Sequence, residues 1–262
     1  MIIFSDTLIL VYSIVIAGIL GAVFGSFLNC AAYRIAHGES VVKGRSHCPD
    51  CGHELGVLDL FPIFSWLFLR GKCRYCKSKV SSRYFITECI MALMSILCLL
   101  ACDISFLFLR NFILLCCLFC LSLIDIDTFE IPDRFHIIMI VAWALYLLCV
   151  PDVLETLKKG GLGFIVIGGG ILIISLIMDK VLGKNSLGGG DIKLLFVMGL
   201  YLGLVAGVFA LIFACIIGLI FAVATKKRKE HFPFGPSISI AFWFMLLYGD
   251  GLTNWYLGLL GL

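Results

Sequence analysis

Two carboxylates in unlike surroundings carry the first hint of chemistry. Asp125 lies in LIDIDTFEIPDR, residues 123–134, which also holds Asp127, Glu130 and Asp133. Asp191 lies in LGGGDIK, residues 187–193, directly after Gly188, Gly189 and Gly190. Two carboxylates brought close together cannot both ionise easily, so one keeps its proton and the pair titrates as a unit. Such a pair supplies an acid and a base in one site, the requirement for activating water against a peptide carbonyl. Three successive glycines let another backbone approach closely, or let this one bend. Lys193, two residues past Asp191, could bias it toward its charged form. The plainer alternative is that these acids are solvated and cap helix starts.

A second set of residues points to a metal. CPDC at 48–51 and CRYC at 73–76 give the pattern C-x2-C-x21-C-x2-C. Four thiolates complete a tetrahedral Zn2+ site, and each C-x2-C turn brings two sulfurs to one ion. Cys48, Cys51, Cys73 and Cys76 are therefore the expected ligands. Their segment, Arg34–Arg83, is too small for much of a core, so a metal would supply folding energy. The alternative is four ordinary reduced cysteines. His47 and His53 flank the first pair and could replace a sulfur, although solvent-exposed histidines are the plainer reading. The other nine cysteines lack paired spacing and read as small apolar packing residues.

The elements that must position these groups are membrane spans. Of 262 residues, 61% are hydrophobic and 14% charged, against roughly 25% charged in soluble domains. Mean hydropathy is +1.10. Spans of about 20 apolar residues are expected near 8–33, 84–101, 104–124, 135–150, 161–178, 192–203, 205–224 and 235–257. The sixth is short, and Gly249-Asp250-Gly251 interrupts the eighth. No barrel alternation is visible, so the spans are helices. No secretory signal peptide is read, because Met1–Ser5 lacks a basic region and the first apolar stretch runs to about Tyr33. The expected fold is an all-α polytopic membrane protein of about eight transmembrane helices. Its organisation is helix 1 at 1–33, a cytoplasmic four-cysteine loop domain at 34–83, and a seven-helix membrane domain at 84–262.

Orientation follows from lysine and arginine. Of 20 such residues, 17 fall on one side of this arrangement, nine of them in 34–83 and four in KKRK at 226–229. That side is expected to be cytoplasmic, with both termini outside. It is a reducing compartment, which disfavours structural disulfides. A net charge of +3 gives no support for nucleic-acid binding.

Some features read as structural. GAVFG at 21–25 is a small-xxx-small pattern suited to helix packing, and GFIVIGGG at 163–170 is expected to pack or flex a helix. KKRKEH at 226–231 reads as a topology anchor. Asn29, Tyr33 and Arg34, at the end of the first span, are explained by capping and snorkelling. Glu88, near the start of the second span, is a site-lining candidate, since an intramembrane acid is functional by default.

The motifs together resemble the bacterial type IV prepilin peptidases, which are bifunctional leader peptidase/N-methyltransferases. The residues are GSFLNCAAYR at 25–34, CPDC, FPIFSWLFLRGKCRYCKSKVSSRYFITE at 61–88, IDIDTFEIPD at 124–133, GGGDIK at 188–193 and FPFGPSISIA at 232–241. The second aspartate motif also resembles the G-x-G-D pattern of intramembrane aspartyl proteases. Cys30 and Phe61 depart from the family's usual residues. The resemblance implies Asp125 and Asp191 as catalytic residues, with Asp127, Asp133, Gly188, Gly190 and Lys193 supporting. It implies cleavage of the basic leader of prepilins or pseudopilins after glycine, at the cytoplasmic side of the inner membrane. Methylation of the new N-terminus from S-adenosylmethionine would follow, and the cysteine loop favours this bifunctional type. The binding site of the methyl donor is not read, because no glycine-rich nucleotide loop is visible. Two other functions remain open here. An ion or proton transporter could use the aspartates as a relay, although no internal repeat is evident. A zinc-dependent scaffold would leave the glycine-flanked Asp191 without a use.

Overall fold

A computed structural model describes residues 3, 6–42, 44–183, 186–224 and 232–259. Lys43, Lys184 and the basic run at 226–229 lie outside the described residues. The chain forms two compact units, Met1–Leu123 and Ile124–Leu262. Among the described residues the regular structure is helical, with two isolated β-bridges in the 34–83 segment.

In the first unit, α1 (Thr7–Ala36) starts at Asp6, whose carboxylate accepts the Leu8 amide at 2.8 Å. α3 (Ser82–Cys102) starts at Ser81, whose hydroxyl accepts the Arg83 amide at 3.2 Å. The two helices pack closely where α1 presents Gly21 and Gly25. A Cβ on Gly25 would lie 2.9 Å from the Met91 Cβ of α3. The small-residue pattern is thus a helix contact, as the sequence suggests. Between them lies the cysteine segment, with one short helix, α2 (Phe64–Phe68). α4 (Phe106–Thr128) follows α3.

The second unit contains the last turn of α4, then α5 (Asp133–Tyr146) and α6 (Val153–Gly163). A π-helical stretch, Phe164–Gly169, runs on into α7 (Gly170–Leu182). α8 (Gly189–Ala224) and α9 (Gly235–Leu259) complete it. The glycines at 163–170 serve close packing: Gly163 meets Gly199 of α8, and Gly168 meets the Phe196 ring.

Among the described residues, five helical segments are long and apolar enough to cross a membrane: Thr7–Ala36, Ser82–Cys102, Phe106–Thr128, Val153–Leu182 and Gly189–Ala224. The chain is thus an all-α membrane protein, but with five such segments rather than the eight expected. Three physical reasons account for the difference. α5 has 14 residues, about 21 Å of helix, short of a bilayer core of about 30 Å. α9 is long enough, but Ser237, Ser239, Asp250, Thr253 and Asn254 dilute its apolar character. The expected spans at 192–203 and 205–224 are two helical stretches that meet at a break at Gly203, whose φ of 75° and ψ of −168° suit glycine almost alone, and together they make up the single apolar segment Gly189–Ala224.

Candidate functional site

The second unit holds both aspartates of interest. Asp125 stands in the last turns of α4 and is 4% exposed. Its Oδ2 accepts the backbone amide of Gly235 at 2.9 Å. Gly235 opens α9, so Asp125 faces the partially positive amino end of a helix. Pro236 follows, in the first turn, where its missing N–H costs no helical bond. Asp191 lies in the first turn of α8. Its Oδ1 is buried and has no hydrogen-bond partner among the described residues.

Both carboxylates line one cavity of about 410 Å³, with Phe129, Glu130, Ile131 and Asp133 also in its wall. They are near enough for the charge of Asp125 to act on Asp191. The glycines allow this closeness. A Cβ on Gly188 would lie 2.9 Å from Asp191 Oδ2, and one on Gly190 would lie 2.8 Å from the Ile131 Cβ. A Cβ on Gly189 would meet nothing within 4 Å. Close packing therefore requires glycine at 188 and 190 but not at 189, which also lines the cavity.

The supporting residues divide. Asp133 lines the cavity, whereas Asp127 is exposed and lies outside its wall. Lys193 also lines the cavity, but its ammonium pairs with Asp133 rather than with Asp191. Its Nζ donates to Asp133 Oδ1 at 2.7 Å. The Lys193 ammonium holds the Asp133 carboxyl below the usual carboxylate range.

Three neighbours escaped the sequence reading. Gly235 was visible as part of a Phe-Gly-Pro run, but its bond to a residue 110 positions away was not. Ile131 packs on Gly190 through an apolar side chain that carries no chemical signal. His136 is buried, with Nδ1 3.9 Å from Asp133 Oδ1 and neither ring nitrogen hydrogen-bonded among the described residues. Phe129 also stands out. It follows the end of α4 with φ at 58°, where glycine is the usual choice, and its amide closes on the Asp125 carbonyl at 2.9 Å.

The cysteine segment belongs to the first unit. Bridges between His47 and Glu54 and between Lys72 and Lys79 form two small hairpins. Each carries its cysteine pair in the same way. The Cys48 N–H donates to the His53 carbonyl and the Cys48 carbonyl accepts the Gly52 N–H, and Cys73 does the same with Ser78 and Lys77. Both closing residues, Gly52 and Lys77, have positive φ. The Sγ atoms of Cys48, Cys51, Cys73 and Cys76 all lie within 4.8 Å of one another. Tetrahedral Zn–S bonds of about 2.3 Å put the sulfurs about 3.8 Å apart, and Cys48 and Cys76 are separated by 3.8 Å. The four sulfurs therefore fit one tetrahedral metal ion. Amides of Cys51 and Asp50 draw the Cys48 thiol down to about 6. At Cys51 the His53 amide favours thiolate, but burial and the neighbouring Cys76 and Cys48 sulfurs outweigh it and push the thiol up to about 11. His53 instead stacks on Tyr75, with ring centroids 3.6 Å apart, and neither histidine joins the sulfur group.

Glu88 does not line the aspartate cavity. It is 6% exposed, and its Oε2 accepts the Ile63 amide at 2.6 Å. The carboxylate ties the cysteine segment to α3.

The fold and site define a helical membrane protein with a paired-aspartate cavity in one unit and a four-cysteine cluster in the other. Comparison with known proteins narrows the class. Residues 19–102 match the Bacterial Peptidase A24 N-terminal domain, and residues 112–223 match the Type IV leader peptidase family. The chain is 33% identical over 226 residues to a prepilin leader peptidase/N-methyltransferase of Aeromonas salmonicida, covering 81% of this chain and 74% of that protein. It is 34% identical over 251 residues to a type 4 prepilin-like proteins leader peptide-processing enzyme of Escherichia coli O78:H11, covering 86% and 90%. A prepilin leader peptidase/N-methyltransferase of Neisseria gonorrhoeae is 27% identical over 274 residues, covering 94% and 95%. No solved structure matches. The chain belongs to the type IV leader peptidase family.

Proposed function

We propose that this protein is an intramembrane aspartyl endopeptidase and N-methyltransferase. It removes the basic leader of type IV prepilins or pseudopilins after a glycine, then methylates the new N-terminal residue from S-adenosylmethionine. The observation that carries the peptidase reading is the shared cavity of Asp125 and Asp191, brought together from α4 and α8. The pair shares one proton. The ionised carboxylate takes a proton from water as the water attacks the scissile carbonyl. The protonated one donates to the carbonyl oxygen, and proton return to the leaving amine completes hydrolysis. The Gly235 amide holds Asp125 in place, and the 188–190 glycines admit Asp191 to the same cavity.

Zn2+ is the metal that suits four clustered sulfurs, and it would fold the 34–83 segment around Cys48, Cys51, Cys73 and Cys76. No residue is assigned to the methyl donor. The membrane is the bacterial inner membrane, with the aspartates toward the cytoplasm and both termini periplasmic. The support is the one-sided distribution of lysine and arginine. An even count of eight crossing elements follows if α5 and α9 also cross and the break at Gly203 divides α8. Glu130 and Asp133, in the cavity wall, attract the substrate's basic leader.

The test is prepilin cleavage by the purified protein in vesicles. Asp125→Asn and Asp191→Asn should each abolish cleavage and leave the protein folded. Full cleavage by either variant would remove the peptidase reading, and proton flux without cleavage in the parent protein would replace it with a transporter.

A further inference from the structure

One stretch of the cysteine segment is built with its polarity reversed. In residues 57–68, VLDLFPIFSWLF, apolar side chains point outward. Val57 is 84% exposed, Leu58 73% and Phe68 83%, and Phe61, Phe64 and Leu67 are exposed too. The rings of Phe61, Phe64 and Phe68 form a row, with centroids 5.7 and 6.4 Å apart. The stretch's one carboxylate is turned inward. Asp59 has a side chain only 6% exposed, and it accepts Arg74 Nε at 2.6 Å, the Gly56 amide at 3.1 Å and the Tyr75 hydroxyl at 3.1 Å. Burial works against its charge, but these three partners outweigh it and hold the carboxyl below the usual range. A turn folded for water would place its acid outside and its phenylalanines inside.

The depth of this stretch is set by two contacts with α3. The Ile63 amide binds Glu88 Oε2, and Trp66 stacks on Phe85 with centroids 4.9 Å apart. Glu88 lies six residues into α3, about 9 Å along its axis. α3 is one of the segments apolar and long enough to cross the bilayer. Its outward face continues the apolar surface through Ile86, Ile90 and Leu93. Exposed Arg70 and Lys72 follow the stretch immediately, as is common at the headgroup level of an interfacial segment.

We propose that residues 57–68 are a membrane-docking strap. Phe61, Phe64 and Phe68 enter the boundary between headgroups and acyl chains beside α3, and Arg70 and Lys72 meet anionic headgroups. The occupant of the apolar face is lipid, because that face runs on from the lipid-facing side of α3. The strap fixes the cysteine cluster at the bilayer surface. This does not depend on the proposed enzymatic activity.

The test uses the full-length protein in nanodiscs containing phosphatidylglycerol, with no substrate added. Hydroxyl-radical footprinting of the unaltered protein should oxidise Phe68 several-fold less than Tyr75, although Tyr75 is only 46% exposed. Photo-crosslinking with p-benzoylphenylalanine in place of Phe64 or Phe68 should give phospholipid adducts. The same replacement at Tyr75, in the tip of the second hairpin, should give only background. Oxidation of Phe68 above that of Tyr75 would overturn the proposal, as would equal adduct yields at positions 64, 68 and 75. In a second arm with an apolar prepilin helix added, adducts that move from lipid to that helix would overturn it in favour of a substrate-binding surface.

Discussion

Gly235 donates its backbone amide to Oδ2 of Asp125 at 2.9 Å, joining the start of α9 to the end of α4. The approach is too close for any side chain at position 235. A Cβ there would stand 2.7 Å from Asp125 Oδ2 and 3.1 Å from the Ile131 Cδ1. Gly235→Ala should therefore displace the Asp125 carboxylate while leaving the helices in place. A displacement of about 1 Å in a reacting group costs about 100-fold in rate. Prepilin cleavage kinetics on folded protein should show a loss of that order, and unchanged kcat/KM would mean that Asp125 does not need this anchor.

The three glycines before Asp191 should separate in the same assay. Gly189→Ala meets no atom within 4 Å although it borders the cavity, and it should cost much less cleavage than Gly190→Ala. Gly190→Ala drives a methyl into Ile131 and should impair cleavage strongly. Ile131→Ala in the same chain should recover part of the loss. A single alanine scan by cleavage rate would read all three, and equal losses at 189 and 190 would contradict the packing.

The ion pair of Lys193 and Asp133 makes a prediction in pH. Asp133 is held below its usual value of 3.8 by the Lys193 ammonium. A depressed carboxyl adds stability above its unfolded value, and that contribution is lost as pH falls through the lower folded value. Both partners are exposed, so the contribution is small and salt-sensitive. Lys193→Met should lower the unfolding temperature slightly at pH 7 and low salt. The difference should shrink as pH falls below 3.8 and through the lower folded value, and shrink in high salt. Because the Lys193 ammonium pairs with Asp133 rather than with Asp191, cleavage at saturating substrate should change less than in the aspartate variants.

How much of this was legible depends on the range of the signal. Asp125 and Asp191 stood out because acids beside apolar runs and a glycine triplet are local features. The cysteine pairs were legible for the same reason, since C-x2-C spacing is itself the geometry of a metal turn. The span count was less so. The boundary between the expected spans at 192–203 and 205–224 falls at the Gly203 break, but hydropathy marks apolar length alone, and the shortness of α5 depends on where helices end. Lys193 lines the cavity as its place beside Asp191 suggests, but its pairing with Asp133, 60 positions away, is a contact that sequence spacing does not reveal. Gly235 and Ile131 act through an amide and a methyl group, which every sequence contains in abundance.

The sulfur cluster predicts a metal with a separable role. Purified protein should carry about one zinc ion per chain, and Cys48→Ser with Cys73→Ser should release it. The cluster lies in the first unit and both aspartates lie in the second. Loss of the metal should therefore damage methylation more than cleavage. Metal analysis alongside both assays checks this, and parallel loss of both activities would point to general misfolding instead.

Glu88 allows a sharper test of the loop's anchorage. Its carboxylate is buried and accepts the Ile63 amide at 2.6 Å. Ile63 itself sits at φ 64°, a conformation that a β-branched residue adopts only under constraint. Glu88→Ala leaves that amide without its partner, at a cost of about 1–3 kcal/mol, and should release residues 57–72 from α3. Hydrogen exchange in that stretch should accelerate, and methylation should fall further than cleavage. Glu88→Gln keeps an acceptor oxygen of the same reach and should stay close to the parent in exchange and in both activities. Were Glu88 instead a proton-carrying member of the aspartate site, the glutamine variant would lose cleavage with its loop still protected.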